Sequence, residues 1–164
     1  MPSDFYPPGT RAPNFEITAV YTKRKFVFRE CLGTPVLLVF FTESTQKQIR
    51  EASDAVREKY PDPAQLIIAN IADLRFVPSL TRRMAEGIMN NAVKAEIKEI
   101  PKQYDPAEYI LLLPDWSARV AKGYQVEDVD KNVALIMIDA DGIIQGSYQG
   151  DHPAEGALEL IAKP

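Results

Sequence analysis

Hydroxyls and amides cluster where an apolar run gives way to a helical pattern. Residues 38–52 read LVFFTESTQKQIREA, and Thr42, Ser44, Thr45 and Gln48 fall on the junction. A helix N-terminus presents free backbone N–H groups and a partial positive charge. Hydroxyls and an amide placed there can hold a small anion or another polar ligand, although Glu43 opposes an anion if its carboxylate points inward. The same residues can also do no more than start the helix. Thr45-x-x-Gln48 has the spacing of a capping box, in which each side chain satisfies the other residue's backbone amide.

Other reactive types are sparse. Cys31 is the one cysteine and His152 the one histidine, so no intramolecular disulfide can form and no ordinary zinc site can be built. No loop has the alternating Asp/Asn spacing of a calcium site, and no metal or cofactor is expected. A reactive thiolate needs a helix N-terminus or nearby cations. Cys31 precedes the apolar run rather than following it, and Glu30 offsets Arg29. His152 stands beside Pro153 with no nucleophile to complete a triad. Asp139 and Asp141 bracket an Asp-Gly turn, which accounts for both. Trp116, Arg119 and Tyr124 could line a cleft, but an aromatic on a short helix is ordinary core. Thr81–Arg83 reads as a solvated basic cluster.

The elements that must position these residues follow from periodicity. Residues 14–28 alternate around a polar turn near 22–24 and predict a hairpin. Residues 35–41, 65–71 and 109–114 are continuous apolar runs of strand length, as in strands covered on both faces. Ile49, Ala52, Val56 and Tyr60 define the inner face of a helix from Gln46 to Tyr60. A long helical stretch, about 78–100, carries two apolar stripes. Val77, Leu80, Met84, Ile88 and Ala92 form one; Met89, Val93, Ile97 and Ile100 form the other. Gly87, Asn90 and Asn91 are poor helix formers, so a kink or break is predicted there. A helix that continues through them would show one stripe to its own sheet and the other to a second subunit. Residues 101–108 read as a loop. Asp115 and Gly123 cap a short helix, Asp141-Gly142 joins two strands in a hairpin, and a helix opening on Pro153 closes the chain.

Charge and composition narrow the functional classes. The net charge of −4 has no basic stripe behind it, which argues against nucleic acid. No apolar run approaches the ~18 residues needed to span a membrane. The N-terminus lacks a signal-peptide pattern, so the cytoplasm is expected, or an exported compartment if a signal peptide has been removed.

The order of elements resembles the redoxin branch of the thioredoxin fold, which includes peroxiredoxins and thiol-disulfide oxidoreductases. APNFEI is similar to that branch's N-terminal signature, LGTPVLLVFF to its first central strand, and AKGYQV with VALIMIDADGIIQGSYQG to its closing segment. The resemblance implies a three-layer α/β fold: a central mixed sheet with helices on both faces, an N-terminal β-hairpin and a long inserted helix at about 78–100. It also implies an extended lead-in over 1–12 and one domain over 13–164. It places the branch's Cys-x-x-Cys pair at Thr45 and Gln48, and its cis-proline at Val133. The reactive thiols and the proline are therefore absent, and no catalytic residue carries over.

Three expectations follow. The first is a non-catalytic redoxin-like module for binding or assembly, dimeric through the 78–100 helix. The second is a weak antioxidant or thiol oxidoreductase using Cys31. The third is a small-anion or small-ligand binder at Thr42, Ser44, Thr45, Gln48 and Val133.

Overall fold

The computed structural model describes residues 7–162. Residues 1–6 of the expected lead-in lie outside the described residues. β1 (Glu16–Thr18) and β2 (Lys25–Val27) form the expected hairpin, running antiparallel with Glu16 opposite Val27. Five strands make the central sheet: β3 (Val36–Phe41), β4 (Ile67–Asp73), β5 (Leu112–Asp115), β6 (Ala134–Ile138) and β7 (Ile144–Gln149). Their order is β5-β4-β3-β6-β7. β3 runs parallel to β4, β4 parallel to β5, and β6 antiparallel to both β3 and β7. The sheet is mixed, as the alternation of strands and helices predicts.

All six residues of β3 are buried, because each face of the sheet is covered. Leu37, Val39 and Phe41 join Leu135 and Met137 under α1 (Gln46–Lys59) and α5 (Pro153–Ala162), which contribute Ala52, Val56, Ala157 and Leu160. Val36, Leu38 and Phe40 point the other way, against Phe26, Phe28 and Tyr124. The period of two in a strand thus feeds two cores from one segment.

Local chemistry moves several boundaries. The amides of Gln65 and Leu66 bond to the Asp62 carbonyl in a turn, so β4 begins at Ile67 rather than at residue 65. The expected loop at 101–108 contains a short helix, α3 (Pro106–Tyr109), capped by Asp105, whose Oδ1 accepts the Ala107 amide at 2.9 Å. The amides of Tyr109 and Ile110 close that turn, which delays β5 to Leu112. In α4 (Arg119–Gly123) the N-cap residue is Ala118, at φ 56°, and not Asp115. Asp115 serves the same end from further back: its Oδ2 accepts the amides of Val120 and Ala121 at 3.1 and 3.0 Å. Gly123 is the last residue of α4 rather than its cap, and the C-cap residue is Tyr124. The β6–β7 turn is as expected. Gly142 has φ 84°, and Asp139 Oδ1 accepts the amides of Asp141 and Ile143.

The long helix departs most from expectation. α2 (Arg82–Ile97) runs unbroken through Gly87, Asn90 and Asn91, preceded by one 3-10 turn over Ser79–Thr81. Tertiary packing overrides the weak propensities, which cost ~1 kcal/mol at glycine. Val93 is buried, and Met89, Ile97 and Ile100 pack beside it against Val20 and Ile110. Leu80, Met84 and Ile88 point outward.

Candidate functional site

The sheet brings the expected site residues to one end. β3 and β4 are parallel, so Thr42 and Asp73 emerge at the same edge. β6 is antiparallel to β3 with Phe40 opposite Ala134, which sets Val133 beside the end of β3. Thr42 is half-buried, Thr45 and Val133 are buried, Gln48 is half-buried, and Ser44 is exposed. Thr42, Thr45, Gln48 and Val133 therefore belong to one corner, while Ser44 faces solvent.

The capping box expected at Thr45 and Gln48 does not form. It lies one turn earlier, across the 3-10 turn Glu43–Thr45. Thr45 Oγ1 accepts the Thr42 amide at 3.0 Å, and the Thr45 amide donates to the Thr42 carbonyl at 3.1 Å. The reciprocal bond is not made: Thr42 Oγ1 is buried and has no hydrogen-bond partner. The 3-10 turn takes up the three residues after Thr42, Glu43–Thr45, so the helix proper starts at Gln46.

Gln48 is released for a different task. Its Oε1 accepts the Val133 amide at 2.8 Å, and its Nε2 reaches the Lys131 carbonyl at 3.5 Å. Thr45 Oγ1 donates to the Val129 carbonyl at 3.1 Å. Two further side chains hold the same loop. Arg75 Nη2 donates to the Val126 carbonyl at 3.3 Å. Gln149 Nε2 donates to the carbonyls of Asp128 and Asn132 at 2.7 and 3.1 Å. Residues 126–133 are thus fastened from α1, the segment after β4, β7 and the turn before α1.

Arg75 is held in turn by Asp73. The guanidinium meets both carboxylate oxygens, with Nη2 2.8 Å from Oδ2, and the Asp73 side chain is nearly closed off from solvent. Asp73 pairs in register with Asp115 on β5. Burial pushes the Asp115 carboxyl above the usual carboxylate range; the amides of Ala121 and Val120 pull it down, and Asp73 pushes it up. Sequence reasoning missed this group. The signal available was an aspartate closing each of two apolar runs, where a strand end must pair or cap its charge.

Cys31 is far from this corner. It lies before β3, whereas Thr45 lies beyond its other end, on the order of 20 Å away at ~3.3 Å per strand residue. Its thiol faces the Val27 carbonyl at 3.6 Å. Burial pushes its pKa up, against a smaller opposing pull from Arg24. Trp116 and the Arg119–Tyr124 pair do not share a cleft. Trp116 stacks under Arg82 and lines a hollow of about 230 Å³ with Glu86 and Asn90. Arg119 and Tyr124 border a separate groove of about 360 Å³ along Pro13–Glu16. His152 is exposed beside Asp151, and Arg83 is solvated. No group of three or more metal-ligating side chains occurs among the described residues.

Solved structures with this arrangement share one architecture. The exposed lipoprotein thioredoxin Etrx1 of Streptococcus pneumoniae superposes with a TM-score of 0.62 at 14% identity, over 91% of this chain and 98% of that one. The thioredoxin domain of a thiol-disulfide oxidoreductase from Bacteroides vulgatus gives 0.60 at 15%, over 95% and 99%. A secreted disulfide oxidoreductase of Mycobacterium tuberculosis, homologous to DsbE, gives 0.56 at 15%, over 91% and 96%. This is a thioredoxin fold. With a single cysteine, this thioredoxin-like chain has no Cys-x-x-Cys pair. No family model matches it, and no curated protein matches its sequence. No peptide bond among the described residues is cis, so the bond before Val133 is trans. No helix among the described residues is long and apolar enough to cross a membrane.

Proposed function

We propose that this protein is a non-catalytic thioredoxin-fold module that acts by binding or assembly. The supporting observation is the closed corner at the end of β3. Thr45 and Gln48, where the resemblance puts the reactive pair, spend their side chains on the Val129 carbonyl and the Val133 amide. A dithiol cycle needs two sulfurs, and the chain has one. That sulfur sits at the far end of β3 and is held as the neutral thiol at neutral pH, the unreactive form. A small anion at Thr42–Gln48 would have to displace the Gln48–Val133 hydrogen bond, so the corner works as a lock on the loop. Nothing in the charge pattern favours nucleic acid or a membrane surface. The cytoplasm remains the working compartment; the exposed and secreted relatives of the fold support the exported alternative.

The test is turnover. Disulfide reduction with a dithiol donor and peroxide consumption are measured for the wild type and for Cys31→Ser. Both proteins are expected to match the rate without protein. Activity that disappears in Cys31→Ser would replace this reading with a one-cysteine enzyme.

A further inference from the structure

We infer that a second copy of this chain docks on the outward face of α2, antiparallel, with the two helices crossing near Gly87. The inference deepens the assembly side of the reading above and rests on that side alone. Phe76, Leu80, Met84 and Ile88 are 82%, 99%, 68% and 61% exposed. Met84 and Ile88 lie four residues apart on one side of α2, opposite the side that carries Val93 into the core, and Leu80 leads into that side from the 3-10 turn before it. The body of the protein leaves them uncovered, apart from the Arg75 guanidinium 6.0 Å from the centre of the Phe76 ring.

Area favours a protein partner. Taking the 100–200 Å² of a large side chain, these four residues present on the order of 500 Å² of surface. That is about the size of the largest apolar patch on a typical monomer, a patch that is often functional. It is also most of the ~800 Å² that each partner gives a standard interface.

Gly87 points to a helix as the occupant, and to this helix. Glycine weakens a helix interior and needs a reason to be there. In α5 the reason is visible: a Cβ on Gly156 would come within 2.5 Å of the Tyr148 ring. A Cβ on Gly87 would meet nothing within 4 Å, and its φ is not positive. Nothing within the chain requires Gly87. It lies in the middle of the outward apolar stripe, where a missing side chain allows another backbone to approach. A two-fold axis beside it sets Met84 of one copy against Ile88 of the other, and Leu80 against Ala92. Apolar residues then oppose apolar ones, the helix dipoles oppose, and the interface is isologous. Arg83 and Lys94 flank the stripe at its solvated rim.

Light scattering on the full chain, from micromolar to near-millimolar, tests this. The wild type is expected to reach twice the monomer mass. Met84→Asp, at a solvated position, is expected to weaken association at least tenfold while the circular dichroism stays unchanged. On a Cys31→Ser background, Gly87→Cys is expected to cross-link to its own copy on mild oxidation. Lys94→Cys, well off the axis, is expected not to. A wild type that stays monomeric, a dimer indifferent to Met84→Asp, or cross-linking through residue 94 instead of 87 would overturn the inference. An inactive monomer would remove the dimer and leave the non-catalytic reading; an active dimer would do the reverse.

Discussion

Replacing Gln48 with leucine should cost more stability than any surface substitution can. Gln48 is half-buried on the first turn of α1, and leucine is as good a helix former as glutamine, so the backbone itself is not penalised. What is lost is the acceptor for the Val133 amide, 2.8 Å from Oε1, in a residue with no exposed surface. A buried N–H left without a partner costs about 1–3 kcal/mol. The Nε2 contact with the Lys131 carbonyl, at 3.5 Å, is long and adds little. For a chain of this size, 1–3 kcal/mol lowers the Tm by roughly 3–10 °C. Gln48→Glu is the control. It keeps an oxygen for the Val133 amide but turns a second oxygen, in place of the Nε2 donor, toward the Lys131 carbonyl, so it should fall between the wild type and Gln48→Leu. Urea unfolding of the three proteins at pH 7 gives the comparison. If Gln48→Leu stays within 0.5 kcal/mol of the wild type, or Gln48→Glu falls as far as Gln48→Leu, the lock described at this corner is wrong.

Four further outcomes are expected. Because the Asp115 carboxyl is held above its usual range, the folded state keeps that proton after the unfolded chain has lost it. This group therefore lowers stability as pH rises from about 4, and Asp115→Asn should flatten that part of the stability–pH curve in denaturant titrations. Arg75→Met strands the buried Asp73 carboxylate and should cost about 3 kcal/mol at pH 7, read in the same way. Alkylation of Cys31 by iodoacetamide should be slower at neutral pH than that of a free thiol, with its midpoint above the usual cysteine value, since burial disfavours the thiolate. Two of the helical glycines should respond with opposite signs. Gly156→Ala forces a methyl into the Tyr148 ring and should destabilise by about 1–3 kcal/mol, while Gly87→Ala should make the monomer more stable by about 1 kcal/mol, both by thermal unfolding.

Much of the fold could be read from periodicity. The run 36–41 is apolar at every position because both faces of its strand are covered, and the 46–60 helix carries its buried stripe at the expected spacing. The Asp-Gly turn and the N-terminal hairpin are local chemistry and fell where turn residues place them. Boundaries shifted where a backbone amide was already committed, as at Gln65, Leu66 and Ile110. The break foreseen in the long helix came from summing weak propensities at Gly87, Asn90 and Asn91, which packing of Met89 and Val93 outweighs. The corner was legible as a place and not as a set of bonds. Spacing alone suits Thr45 and Gln48 to a capping box, but their partners at Val129 and Val133 lie more than 80 residues away. Asp73 and Arg75 went unnoticed for a related reason: the burial that makes their pairing necessary is set by the neighbouring strands.

The central claim is that side chains from four directions hold residues 126–133 shut over the end of β3. Amide hydrogen exchange of that loop in the wild-type protein measures this most directly. The account predicts that the Val133 amide is protected to within about tenfold of the β3 amides, and that anions and thiol metabolites leave its rate unchanged. Free exchange of Val133 beside a protected β3, or a rate that falls when one of those ligands is added, would mean that the corner is an open site.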